Sequence, residues 1–147
     1  MNDNYIKIEM AAFSENVSLA RIVVAGFIAS FDPTVDEISD IKTAVSEAVT
    51  NAIIHGYHGY DLAEGIVQIS LSSHERKITI EISDNGVGIE DVDIVKEPMF
   101  TTKPDLERSG LGFTVMETFM DTVEIKSTPG AGTTVTLTKT LGEVSLS

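Results

Sequence analysis

Residues 43–59, TAVSEAVTNAIIHGYHG, read as the C-terminal half of a helix with two opposed characters. Ile38, Ile41, Ala44, Val45, Ala48, Val49, Ala52 and Ile53 form a broad apolar arc at helical spacing, which predicts a face turned to a core. Glu47, Asn51 and His55 recur at intervals of four, so they share one side. Projected at about 100° per residue, that side runs along one edge of the arc. A carboxylate, an amide and an imidazole in such a row face a groove between this helix and its neighbour, or simply a half-solvated helix edge. Gly56 and Gly59 are expected to end the helix near Tyr57, and TVDE at Thr34–Glu37 is a capping box that opens it.

The flanks extend the pattern. Tyr5 to Met10 alternates as a strand, with Ile6, Ile8 and Met10 on one face. Ser14 can cap a first helix that continues to about Phe31, where Asp32–Pro33 stops it. Its core face is Val17, Ala20, Val23, Val24, Phe27, Ile28 and Phe31. Leu19 and Ile22 project off that face with Arg21 between them, which fits homodimer packing, partner docking or cover by the N-terminal strand. Gly65–Ser73 and Lys77–Ser83 are β-rich runs joined by SHER. An irregular stretch, Asp84–Ser109, holds one short helix near Val92–Lys96. Gly110–Asp121 reads as a third helix, and Val123–Ser127 with Thr133–Lys139 as a hairpin around TPGAG. The order β-α-α-β-β-loop-α-β-β predicts a single domain over residues 1–147. Its expected architecture is an α/β two-layer sandwich, a mixed, mostly antiparallel sheet covered by about three helices.

Composition narrows the function classes. The chain has 147 residues, 42% of them hydrophobic, a formal charge of −13 and a pI near 4.4. That charge repels phosphate backbones and argues against direct nucleic-acid binding. There is no cysteine, so disulfides, thiol catalysis and thiolate metal sites are out. The apolar run Ile22–Ala29 is far too short for a membrane span, and the N-terminus lacks the pattern of a signal peptide, so the expected compartment is the cytoplasm. His58 and His74 read as loop residues outside any metal-like cluster.

Three glycine pairs carry the chemistry: Gly86-Val87-Gly88, Gly110-Leu111-Gly112 and Gly130-Ala131-Gly132. The first follows a strand that ends in Asp84. The second opens a helix, where free N–H groups and the positive dipole end suit an anion. The third tops a hairpin and by itself is a turn. Neither a P-loop nor a dinucleotide fingerprint is present. A nucleotide can still be held by such parts. An aspartate accepts from the adenine amino group, helix-start amides hold phosphates, an Asn oxygen ligates Mg²⁺, and Lys103 and Arg108 reach phosphate.

The ordered set EAVTNAIIHG, DNGVGI, MFTTK, RSGLGF and GAGTT resembles the successive boxes of the Bergerat-fold ATP-binding family. That family includes chaperones, type II topoisomerases, MutL-type repair proteins and histidine kinases. The short chain, the first helix and FTTKPDLERSGLGF resemble one branch in particular, the bacterial anti-sigma-factor serine kinases. The resemblance spans roughly Ile6 to Lys139. It implies ATP or ADP with Mg²⁺ held by Asn51, and Glu47 as base or orienter of the attacking group. It implies Asp84 reading the adenine amino group, with Gly86 and Gly88 letting backbone approach the base. Gly110 and Gly112 would cradle phosphates beside Ser109, with Thr101, Thr102, Leu111 and Phe113 lining the nucleotide. Arg108 and Lys103 would neutralise charge on the transferred phosphoryl group, and Thr133 would support the adenine end. His55 takes a structural role by default. Partners implied are a sporulation sigma factor, an anti-anti-sigma protein phosphorylated on serine, and a second copy of the chain, with Leu19, Arg21 and Ile22 as contact residues. The rival readings are a nucleotide-dependent anti-sigma module without kinase activity, a histidine-kinase catalytic domain, and a hydrolysing ATPase. The histidine-kinase reading would need a phosphoacceptor helix pair upstream of Tyr5, and the hydrolysing ATPase would need further domains.

Overall fold

A computed structural model describes residues 3–56, 65–86 and 112–142, without the side chains of residues 55 and 56. The expected sandwich is there. Strand β1 (Asn4–Ala11) leads to helix α1 (Asn16–Ile28), a 3₁₀ turn (Ala29–Phe31) and helix α2 (Val35–Asn51). Strands β2 (Ile66–His74) and β3 (Lys77–Asp84) follow, and after residues 87–111 come helix α3 (Gly112–Phe119), β4 (Thr122–Thr128) and β5 (Gly132–Thr140). The short helix expected near Val92–Lys96 lies outside the described residues.

The five strands stand in the order β1-β2-β3-β5-β4, and every pairing is antiparallel. The last hairpin is inserted so that β5 lies between β3 and β4. Alternation does the sorting. Val67, Ile69 and Leu71 on β2, Ile78, Ile80 and Ile82 on β3, and Val135 and Leu137 on β5 are buried under the helices. The opposite face carries Ser70, Ser72, Thr79, Ser83, Thr134, Thr136 and Thr138, in register across three strands. Ile41, Ala44, Val45, Ala48 and Val49 of α2 complete the core, with Met116 from α3 and Ala20, Val24 and Ile28 from α1. Helix α2 packs between α1 and α3.

Helix ends show where local chemistry was read correctly. Thr34 and Glu37 form the full capping box: Glu37 N–H donates to Thr34 Oγ1 at 3.0 Å, and Thr34 N–H donates to Glu37 Oε1 at 2.9 Å. The other Glu37 oxygen accepts from Gly142 N–H at 2.8 Å, so the chain after β5 is tied to the start of α2. Arg76, in the β2–β3 turn, donates to Gly142 O at 2.6 Å and to Phe31 O at 2.8 Å. Asp32 adopts φ 48° before Pro33 and ends the 3₁₀ turn.

Three expectations are corrected. Ser14 does not cap α1: the N-cap position is Glu15, with no side-chain cap bond, while Asn16 Nδ2 donates back to Ala11 O at 2.8 Å. The strand holds the helix entry in place of a cap. His74 is the last residue of β2 rather than a loop residue, paired in register with Lys77. The second helix also does not run regularly to Tyr57. After Asn51 it becomes a π turn, Ala52–Gly56.

Candidate functional site

The turn that ends α2, the end of β3 and the start of β5 meet at one end of the sandwich. The π turn after Asn51 packs against both β3 and β5, and α3 packs along α2. Asn51, the last residue of α2, is 8% exposed, and Glu47 is half-buried one turn earlier. The opening stripe is therefore real for these two residues. From Ala52 the helix turns to i→i+5 bonding, and the side chain of the third position, His55, lies outside what the structure describes.

Asp84 closes β3 and is buried. Its Oδ1 accepts from Gly86 N–H at 2.9 Å, and the Thr133 backbone N–H also donates to it. Burial pushes the carboxyl above the usual carboxylate range, against the pull of those two donors. A carboxylate so held keeps acceptor capacity and turns away a second acceptor. Thr133 is its register partner on β5.

Two features here went unread in the sequence. Gly132, taken as a hairpin glycine, has φ 103°, and a Cβ on it would fall 2.0 Å from Asp84 O. Only glycine lets β5 approach the backbone that carries Asp84. Ser127 on β4 faces Thr133 in register, its Oγ 2.8 Å from Thr133 Oγ1 and donating to Gly132 O at 3.1 Å. The alternation of β4 against GAGTT would have placed Ser127 there.

Gly112, buried, is the first residue of α3, and Phe113 packs against the core. Gly88, Thr101, Thr102, Lys103, Arg108, Ser109, Gly110 and Leu111 lie outside the described residues. Among the described residues no group of three His, Asp or Glu side chains could hold a metal ion alone. On α1, Leu19 and Ile22 are 49% and 67% exposed, and Arg21 is exposed beside them. The N-terminal strand does not cover them.

A buried acceptor at a strand end, backed by a close-packed glycine and faced by an Asn-ended helix, suits a base at one end and a metal-bound phosphate at the other. With an antiparallel sheet under helices, this is the layout of a nucleotide-binding domain. The profile of the histidine kinase-like ATPase domain matches residues 10–139. The anti-sigma F factor of Clostridium beijerinckii is 52% identical over 145 residues, 99% of this chain and 100% of that one. That of Bacillus cereus is 55% identical over 138 residues, 94% of this chain and 93% of that one. The chain belongs to the histidine kinase-like ATPase family, and these relatives within it are anti-sigma F factors. Two solved structures share the fold. The RsbU and RsbW domains of a Mycobacterium tuberculosis protein match with TM-score 0.70 at 21% identity, over 97% of this chain and 34% of that one. The catalytic domain of the histidine kinase ThkA matches with TM-score 0.55 at 15% identity, over 96% and 99%.

Proposed function

We propose that this chain is an anti-sigma factor and an ATP-dependent serine protein kinase. On this reading it holds a sporulation sigma factor inactive in the cytoplasm, and it phosphorylates a serine of the small antagonist that would release that factor. The observation that carries the reading is the placement of half-buried Glu47 one turn before buried Asn51 on α2, in a fold that also buries Asp84 at the end of β3. The names of the full-length relatives support the sigma-factor partner.

Asp84 accepts from the exocyclic amino group of adenine; guanine presents a carbonyl there and is refused. Asn51 contributes its side-chain oxygen to Mg²⁺, which needs few protein ligands when phosphates supply the rest. Bound Mg·ATP supplies the transferable phosphoryl group. Glu47 receives the proton of the attacking serine hydroxyl or holds that hydroxyl in line. Arg108 and Lys103 offset the charge that develops on the phosphoryl oxygens. Leu19, Ile22 and Arg21 offer the protein partners an apolar surface with one cation, and the chain works as a homodimer.

The experiment is a phosphotransfer assay with radiolabelled ATP and the antagonist. Asn51→Ala should cripple nucleotide binding. Glu47→Ala should keep ATP and both partners bound while lowering the transfer rate by about 10²–10⁴-fold. A wild-type rate in Glu47→Ala, with Mg·ATP bound normally, removes Glu47 from the chemistry. No transfer by the wild-type chain, with sigma factor still bound, favours the rival reading of a nucleotide-dependent binding module.

A further inference from the structure

Among the described residues, two charged side chains stand on the helix-facing surface of the sheet, Asp84 and Lys139. The first is accounted for by the base. Lys139 pairs in register with the buried Ile78, where an apolar residue is expected, and its side chain is 16% exposed. Its Nζ donates to Phe119 O at 2.7 Å and lies 3.8 Å from Asp40 Oδ2. Phe119 is the last residue of α3 and Asp40 belongs to α2, so one ammonium ties two helices together from below.

The place of that tie matters. The Phe119 carbonyl is one of those left without an intrahelical partner at the C-terminus of α3, where the helix dipole is negative and a cation is favoured. Asp40, Glu47 and Asn51 are spaced by seven and four residues and so share one side of α2, the side that Lys139 ties to α3 at Asp40. The end of α3 is fixed level with Asp40, and α3 packs along α2, so its start lies toward Asn51. A helix of 8 residues is about 12 Å long. From Asp40 that reaches the level of Glu47, seven residues on. Gly112, the first residue of α3, thus stands opposite Glu47 because Lys139 holds the other end.

We propose that Lys139 is a positioning residue. It sets the register of α3 on α2, and with it the placement of the phosphate-side helix start against Glu47 and Asn51. It touches neither base nor phosphate. This rests on the nucleotide reading of the site, and the base end, built on the sheet by Asp84, Gly132 and Thr133, does not depend on it.

The test compares adenosine, which lacks phosphates, with Mg·ATP, by titration against the full chain. Wild-type protein that binds neither sinks the nucleotide reading itself and leaves the tie without a ligand to position. Where the wild type binds both, the ratio of the two affinities measures phosphate recognition. Lys139→Met keeps the apolar stem and removes the charge. It should lower that ratio about tenfold, the scale on which small misplacements of a positioned group act, with adenosine affinity unchanged. Lys139→Arg should restore most of the ratio. An unchanged ratio in Lys139→Met, or an equal loss for both ligands, overturns the proposal and leaves Lys139 a stabilising contact only. If Lys139→Met does not fold, Asp40→Asn removes the α2 arm alone. It should lower the ratio about two- to threefold, and no change there equally overturns the proposal.

Discussion

On the proposed reading, Asp84 is the residue at which folding and ligand recognition pull in opposite directions. Burial raises its carboxyl pKa in the folded chain, against the Gly86 and Thr133 N–H donors. An acid with a raised folded pKa binds its proton more tightly folded than unfolded. Its ionised form therefore penalises the fold above that pKa, and the penalty fades as pH falls through it. Asp84→Asn should raise the melting temperature of the nucleotide-free protein at neutral pH, and the gain over wild type should shrink as the solution is acidified. The same variant should lose about 1–3 kcal/mol of ADP affinity. Scanning calorimetry across pH checks the first effect and titration calorimetry the second; undiminished ADP affinity in the folded variant contradicts the assignment. Gly132→Ala makes a sharper claim. Positive φ and a Cβ meeting Asp84 O should cost at least about 1–3 kcal/mol in urea denaturation. A variant as stable as wild type would mean that β5 can back away from Asp84 freely. Both residues sat in motifs visible in the sequence, yet the role of Gly132 was not legible there, because a close approach between strands is a property of the pair.

At the scale of elements, α1 shows two faces that the sequence pattern separated well. Ala20, Val24, Phe27 and Ile28 are buried, while Leu19 and Ile22 stay exposed with Arg21. Alanine at any of the three should leave stability within about 0.5 kcal/mol, yet weaken the complex with sigma factor or antagonist in a surface-binding measurement. Three variants that bind both proteins like wild type would free this face of any docking role. Helix α2 was legible in its start, because a capping box is a local bargain among neighbours in sequence. Its end was not. Ala52, Ile53 and Ile54 are compatible with an α-helix, and the π turn that replaces it depends on the packing of that turn against β3 and β5.

For the whole molecule, element order and two-layer architecture followed from periodicity, since each strand alternates and each helix carries one apolar face. The insertion of β5 between β3 and β4 did not, because pairing partners distant in sequence leave no local mark. The site lies across that insertion, so nucleotide should stabilise the fold globally. Mg·ADP at a hundred times its dissociation constant adds about 2.7 kcal/mol, about 8 °C in melting temperature for a chain of this size. A thermal-shift titration with no displacement would place the nucleotide elsewhere or nowhere.

That insertion also dates the protein's competence during its own synthesis. Asp84 is made mid-chain, but its register partner Thr133 arrives on the last described strand. If Asp84 reads the base as proposed, a ribosome-bound chain halted before β5 has emerged carries that carboxylate without the wall behind it, and it should not be retained on immobilised adenine nucleotide. Release of the last strand from the exit tunnel would then be the moment at which this chain first distinguishes one nucleobase from another.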